Sequence, residues 1–387
     1  MKTKITIDTP VHVGTGEDVY AIEYNVKNGV AYRYAFQDIL SFVPDNVLLD
    51  DNFQRKLLTI NRDGRQGVSP SEEVNKRLRQ YVNYNDIRPM YQLRCNTTLE
   101  NKGRINLQVK SLNKPYIPGS TVKGLIFNAI HYDIVKNNLG KACSTIANYP
   151  NLNRISFDIV LKDILNPQDP AVYSDFISQY HNCLMCADIH FDKLAIQGAE
   201  RVRTEVKNNQ EDHLDLPFHE CIDKGQTVEG EFITINEDKV NMLKGQSTEG
   251  YQKQLLAYLD RKELTRVMNQ YFFDGIEEEL DTDSRFGYLY EGMYNYLNSL
   301  KKSPTFVYTR IGKNTGYFFK SISYLFKKNR PDFYMQYFYE VFSPVKQSFR
   351  KGDKPIPKPD KMPITRPVYF DSTSDSYPGV IRIAFID

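Results

Sequence analysis

The chain has 387 residues, of which 41% are hydrophobic and 25% charged, a composition that suits a folded protein with a real core. That length allows one large domain with insertions or two modest ones. No apolar run approaches the roughly 18 residues of a membrane span, and residues 1–7 read straight into a strand, so neither a membrane segment nor a secretory leader is expected. Five cysteines, an odd number, point to reduced thiols and a cytoplasmic setting.

The net charge of +2 hides an asymmetry. Residues 301–366 hold fifteen Lys/Arg against four Asp/Glu, whereas residues 274–283 carry six acids and no base. A charge run is usually a solvated face. A basic third interleaved with Tyr and Phe is also what a single-stranded nucleic-acid binder carries, because phosphates want cations and bases want aromatic faces.

In chain order, Ile5 and Ile7 alternate as a strand and Gly14-Thr15-Gly16 forms a loop. Residues 24–32 read as a hairpin turning on Asn28-Gly29. Residues 36–82 have a polar, helical texture, an expected insertion, and strands resume at 91–99 and 104–107. A helix is expected over 120–137, then irregular and helical sequence over 138–182, broken by Pro150, Pro167 and Pro170. Residues 183–191 and 195–206 read as strands, 208–217 as a polar loop, and 227–235 as a strand. Helical periodicity covers 247–271 and 284–300. A short strand at 305–308 feeds a glycine-rich loop, followed by helices at 317–326 and 333–342. Residues 343–367 are Lys/Pro-rich and extended, and 380–386 close the chain as a strand. No regular βαβ rhythm appears, so the fold class is α+β with an antiparallel sheet.

Two segments carry the functional signal. In Tyr116-Ile117-Pro118-Gly119-Ser120-Thr121-Val122-Lys123-Gly124, Pro118 keeps the entering chain extended, and Ser120 or Thr121 can cap the helix that follows. Such a helix start, with Lys123 beside it, suits a phosphate, although an ordinary capped turn accounts for the residues equally well. The spacing is not that of a P-loop. In Thr309-Arg310-Ile311-Gly312-Lys313-Asn314-Thr315-Gly316-Tyr317, two glycines free the backbone and Arg310, Lys313 and Lys320 supply cations. Two loops of this kind in one chain favour nucleic-acid binding. Arg201 and Arg203 fall on one face of their strand, suited either to solvent or to an RNA backbone.

Other candidates are weaker. Gly14-Thr15-Gly16 lacks the third glycine of a dinucleotide fingerprint, and no cofactor is expected. His12 could act as a general acid or base in RNA cleavage, but no second group pairs with it and a structural role fits better. Cys183 and Cys186, flanked by His181 and His190, invite zinc. A strand over 183–191 would turn the two cysteines to opposite faces, so no metal is expected.

Taken together, the chain resembles the RAMP superfamily of CRISPR proteins. The resemblance rests on Thr9-Pro10-Val11-His12-Val13-Gly14-Thr15-Gly16-Glu17, the 117–124 turn, Glu220-Cys221-Ile222 through Gly225-Gln226-Thr227-Val228-Glu229-Gly230-Glu231, and the Arg310-to-Gly316 loop, in that order. Within it the chain resembles the backbone-terminating fifth subunit of type III-A (Csm) effector complexes. The resemblance implies an RRM-like, ferredoxin-like antiparallel core formed by residues 1–35 and 91–235, with a helical insertion at 36–90 and a β-hairpin thumb near 207–219. Residues 236–387 would be a helical, basic C-terminal region with the 310–316 loop and a closing strand. It further implies a non-catalytic, cytoplasmic ribonucleoprotein subunit that caps the backbone at the crRNA 3′ end and influences crRNA maturation. Its partners would be crRNA, complementary target RNA and other Csm backbone subunits, with recruitment of host nucleases left open. The residues expected at RNA are Ser120, Thr121, Lys123, Arg201, Arg203, Arg310, Gly312, Lys313, Gly316, Tyr317 and Lys320. The alternative is a metal-independent endoribonuclease that processes guide precursors with His12.

Overall fold

Lys2 and Lys4 of the first strand face solvent while Thr3, Ile5 and Ile7 are buried, the period-2 pattern of a sheet with one wet face. That strand belongs to a computed structural model that describes residues 2–58, 70–95, 97, 99, 104–149, 157–203, 213–281, 295, 306–316, 319, 323–342, 365–370 and 375–386.

The elements in chain order begin with β1 (Lys2–Ile7), β2 (Gly14–Tyr20), β3 (Tyr24–Lys27) and β4 (Val30–Arg33). Four short helices follow, α1 (Phe36–Leu40), α2 (Asp45–Leu48), α3 (Asp51–Leu58) and α4 (Pro70–Arg79). Then come β5 (Tyr91–Arg94), β6 (Arg104–Gln108), β7 (Lys110–Ser111) and β8 (Lys114–Ile117). The central helices are α5 (Gly119–Asn137), α6 (Leu139–Ala147), α7 (Phe157–Leu165) and α8 (Pro170–His181). Strands β9 (Leu184–Cys186), β10 (Ile189–His190), β11 (Leu194–Arg203), β12 (His213–Ile222), β13 (Thr227–Gly230) and β14 (Ile233–Ile235) precede α9 (Glu237–Gln246), α10 (Gly250–Ala257) and α11 (Arg261–Asp281). The chain finishes with β15 (Val307–Arg310), α12 (Ser323–Asn329), α13 (Pro331–Phe342), β16 (Thr365–Phe370), β17 (Asp375–Ser376) and β18 (Val380–Ile386).

These strands make two main sheets. One has the order β13-β1-β18-β15, antiparallel throughout, with Ile5 opposite both Val228 and Ile383. Strand pairing therefore crosses residue 235: β15 and β18 share a sheet with β1 and β13. The other runs β2-β6-β12-β11-β5-β4-β3, with β16 and β17 added at β11. It is mixed, because β11–β5 and β12–β6 are parallel. The α+β expectation holds at this level, with a mixed second sheet in place of a wholly antiparallel one.

Helix α5 is apolar on nearly every side, from Val122 and Ile126 to Ile130 and Ile134, and such a helix belongs in an interior. It packs against α11. Its one buried acid, Asp133, is held by Arg266 at 2.9 and 3.1 Å and by the Tyr258 hydroxyl at 2.8 Å. Helices α1–α4 gather a separate core around Ile22, Phe53, Val74 and Leu78 beside β2 and β4. Among the described residues, no helix is long and apolar enough to cross a membrane.

Three expectations are corrected. Residues 213–217, read as loop, lie in β12; their polar residues and Pro217 masked the strand. Pro217 falls where the β11–β12 register slips, between Ala199↔Leu216 and Gln197↔His219, a position that needs no ladder N–H. Residues 365–367, read as the end of an extended linker, open β16, which pairs with β11. The strand expected at 183–191 is two short ones, β9 and β10. The helix expected at 284–300, apart from residue 295, and the segments 204–212 and 343–364 lie outside the described residues.

Gly119 starts α5 against another backbone: a Cβ there would lie 2.1 Å from the Cys186 carbonyl oxygen. A side chain cannot rotate away from that contact. Gly119→Ala is expected to cost about 3 kcal/mol or more, read as a lowered thermal midpoint. Gly124→Ala, on the same helix with nothing within 4 Å, should instead be neutral or gain up to about 1 kcal/mol.

Candidate nucleic-acid interface

Strand β8 buries Pro115 and Ile117 and delivers Pro118 as the N-cap of α5 at φ −59°, ψ 135°. The cap differs from the one expected. Neither Ser120 nor Thr121 closes the helix; the Gly119 N–H donates to Oδ1 of Asp188 at 2.8 Å, an acid 69 residues away. The N–H groups of Thr121 and Val122 turn back to the Pro118 carbonyl at 2.9 and 3.3 Å. Three of the first four amides are thus taken. The exposed Ser120 and half-buried Thr121 and Lys123 are what this turn offers a ligand. Burial, and then the Lys123 charge, lower the pKa of His181; burial pushes the Cys186 thiol up to about 11 against that same charge.

The second loop leaves β15 and threads left-handed backbone at Gly312 (φ +98°), Asn314 (φ +66°) and Gly316 (φ +87°). Gly312 is required by contact as well as by φ, since a Cβ would lie 2.3 Å from the His12 carbonyl oxygen. The Lys313 N–H donates to that same carbonyl at 2.7 Å. Asn314 contacts the His219 ring at 3.3 Å, and the exposed Lys313 ammonium donates to Oδ1 of Asn106.

The structure ties the two segments to one strand, β6. Asn106 holds Lys313, while two residues along Gln108 donates to the Tyr116 carbonyl at 3.1 Å and accepts from the Val13 N–H at 2.8 Å. Sequence reading missed Asn106, Gln108 and Asp188, because a lone amide or acid in a polar stretch carries no pattern.

Arg310 is a correction. It is 3% exposed, and its guanidinium donates to both Glu279 oxygens at 2.9 and 3.0 Å and to the Pro378 carbonyl at 3.0 Å. It braces the loop from inside and does not face a ligand. The acidic run read as a solvated face has the same fate: Glu279 takes Arg310, Glu278 takes Lys327 at 3.0 Å and Glu277 takes Lys328 at 3.7 Å. The basic third thereby has three of its fifteen cations paired with acids of that run. Several of its aromatics, Tyr308, Tyr324 and Tyr334 among them, are buried core.

His12 is 1% exposed. Its Nδ1 donates to the Glu220 carbonyl at 2.6 Å, its Nε2 is buried with no partner among the described residues, and its ring lies edge-on to the His219 ring with centroids 4.7 Å apart. Burial lowers its pKa to about 4 and that of His219 to about 2, so both rings are neutral near pH 7. The pattern is structural: the histidine positions the carbonyl that seats the glycine-rich loop.

Arg201 and Arg203 lie in β11 between β12 and β16; their side chains, with Tyr317, Lys320 and residues 207–212 where a thumb is expected, are outside the described residues. Cys183 is buried and Cys186 half-buried. Among the described residues no group of three or more His, Cys, Asp or Glu could hold a metal.

The candidate site is therefore the start of α5, capped by Asp188 and flanked by Ser120 and Lys123, and a glycine-rich loop, both tied by side-chain bonds to one strand of an α+β scaffold. The chain belongs to the RAMP superfamily, whose sequence model matches residues 4–354. Among solved structures it is similar to a chain of a cryo-EM Csm–crRNA–target RNA ternary complex of a type III-A CRISPR-Cas system. That match has a TM-score of 0.61 and 14% identity, covering 99% of this chain and 100% of the other. It is also similar to the crystal structure of T. onnurineus Csm5, with a TM-score of 0.52 and 14% identity over 84% of this chain and 94% of that one. No curated protein matches it in sequence.

Two measurements check the internal roles. Arg310→Ala strands Glu279 without its cation and should cost about 3–5 kcal/mol in urea denaturation, with Arg310→Met/Glu279→Gln recovering much of the loss. Between pH 6.5 and about 4 the unfolded chain protonates His12 while the folded chain does not, so stability must fall as pH falls through that window. The His12 contribution lost by pH 5 is about 2 kcal/mol, and His12→Gln should flatten the pH dependence of the thermal midpoint.

Proposed function

We propose that this chain is a non-catalytic, guide-RNA-binding and assembly subunit of a type III-A CRISPR effector. It would bind crRNA alongside complementary target RNA and other Csm backbone subunits, cap the backbone at the crRNA 3′ end and influence crRNA maturation, in the cytoplasm. The observation that carries this reading is the attachment of the Tyr116–Lys123 segment, through Tyr116, and of the Gly312–Gly316 loop, through its exposed Lys313, to one strand. Membership of the RAMP superfamily and full-length similarity to a chain of a Csm–crRNA–target RNA complex support it. On this reading the sheet of β1, β13, β15 and β18, with α11 on β15, is the RRM-like core. The side chains on offer, an ammonium and hydroxyls, suit phosphate and ribose and carry no base code, as a guide of variable sequence requires.

The endoribonuclease alternative needs an imidazole that reaches a phosphodiester, and His12 lies beneath Gly14, buried on every side. Incubating the protein with labelled guide precursor in EDTA tests this: cleavage that disappears in His12→Ala would overturn the non-catalytic reading.

Lys123→Glu and Lys313→Glu should each lower RNA affinity and reduce the slope of log affinity against log salt by about one. Arg310→Met should leave that slope unchanged wherever the chain stays folded. Unaltered slopes in both lysine variants, by fluorescence anisotropy across a salt series, would sink the site assignment.

A further inference from the structure

Leu112 is 96% exposed and sits at φ +50°. With Asn113 at φ +64° it forms the two-residue loop of the β7–β8 hairpin, a turn whose left-handed positions favour Asn and Gly. An exposed leucine alone needs no explanation. A branched apolar side chain held in left-handed backbone at a hairpin tip combines two unfavourable choices at one residue, and such strain marks function.

The hairpin's two faces differ. Pro115 and Ile117 are buried, whereas Lys114 is exposed and Tyr116 half-buried on the opposite face. Tyr116 is paired in register with the exposed His190 of β10, ring centroids 5.3 Å apart at 35°. Lys114 meets Asp192 only at 3.4 Å between side chains 67% and 82% exposed, an ion pair worth little in water. From Leu112 to Gly119, where Ser120 and Lys123 begin, is about 20 Å of extended chain. An apolar tip, a cation and a tyrosine paired with His190 of β10 therefore follow one another along the chain from Leu112 to the start of α5, where Lys123 lies.

We propose that the outer face of β7, β8 and β10 is a single-stranded RNA track continuous with the Lys123 turn. Tyr116 and His190 form its base-stacking platform, and Leu112 is a wedge that separates one base step. This deepens the RNA-binding reading above and rests on it. Lysine beside an aromatic platform is the composition that holds sequence-independent single strands. Apolar side chains, leucine included, are used to unstack bases.

The test uses the purified full-length chain and single-stranded RNA carrying 2-aminopurine at one position at a time. Emission should rise several-fold at one position on binding and stay quenched there in Leu112→Gly. That substitution relieves the left-handed strain, so its thermal midpoint should equal or exceed that of the unsubstituted chain. Tyr116→Ala with His190→Ala should weaken binding about ten-fold at high salt. If Lys123→Glu weakens binding while Leu112→Gly and the double variant bind and report as wild type, the track alone is overturned. If Leu112→Gly keeps its RNA signals but drops out of complexes with other subunits, the tip is a protein contact and the proposal fails. Absence of RNA binding by the unsubstituted chain would overturn the broader functional reading.

Discussion

One carboxylate gathers the site. Glu220 is fully buried in β12, and accepts from the Tyr24 hydroxyl at 2.8 Å, the Tyr91 hydroxyl at 2.7 Å, the Gln108 N–H at 3.2 Å and the Lys110 ammonium. Its main-chain carbonyl takes His12. Strands β3, β5, β6 and β7 and the segment after β1 are thus tied to one residue. Burial, and then the Glu220 charge, push both phenols far above their ordinary range, so each stays a donor at any pH where the protein folds. A buried charge is weak grounds for stability, because its desolvation offsets much of what its partners return. What such a network supplies is uniqueness, since removing any donor leaves a charge without water. The geometry of the site follows from it: Glu220 fixes His12, His12 seats the Gly312–Lys313 backbone, and Gln108 carries the constraint to the strand before α5.

This arrangement explains what the sequence discloses and what it conceals. Glycine and proline act locally, so the turn at 116–124 and the loop at 312–316 are legible as breaks and left-handed backbone from the residue types alone. The helix α5 is legible for the same reason, from the apolar residues that follow the turn. Glu220 itself falls within a stretch that the resemblance singles out, yet nothing local distinguishes an acid that faces water from one that collects four donors across up to 196 residues. The same blindness misplaced Arg310. A basic residue flanking a glycine loop suits a phosphate, but Glu279 comes from α11, and only the packing of α11 on β15 brings them together. Three of the six acids at 274–283 and three cations of the basic third are partners, a link that neither charge run shows by itself.

Strands β12 and β16 show the other limit. β11 has β12 on one side and β16 on the other, with Arg201 opposite both Leu214 and Pro367, so the burial of these strands arises from partners distant in sequence. Periodicity fades where a proline and a register slip interrupt it, as at Pro217. Prolines therefore punctuate the chain ambiguously: Pro118 ends an extended segment, whereas Pro217 sits inside one.

The division of labour among cations follows from where each is anchored. Arg310 and Lys110 have buried carboxylate partners, and moving either toward an RNA phosphate would leave Glu279 or Glu220 uncompensated in the interior. Among the described residues Lys313 is held by a neutral amide, which gives up an ammonium at little cost. The cations a phosphate can recruit are those whose departure strands no buried charge. By that criterion, and on the proposed RNA-binding reading, the cations the internal ion pairs consume are scaffold, and lysines such as Lys313 are the ones a phosphate would recruit.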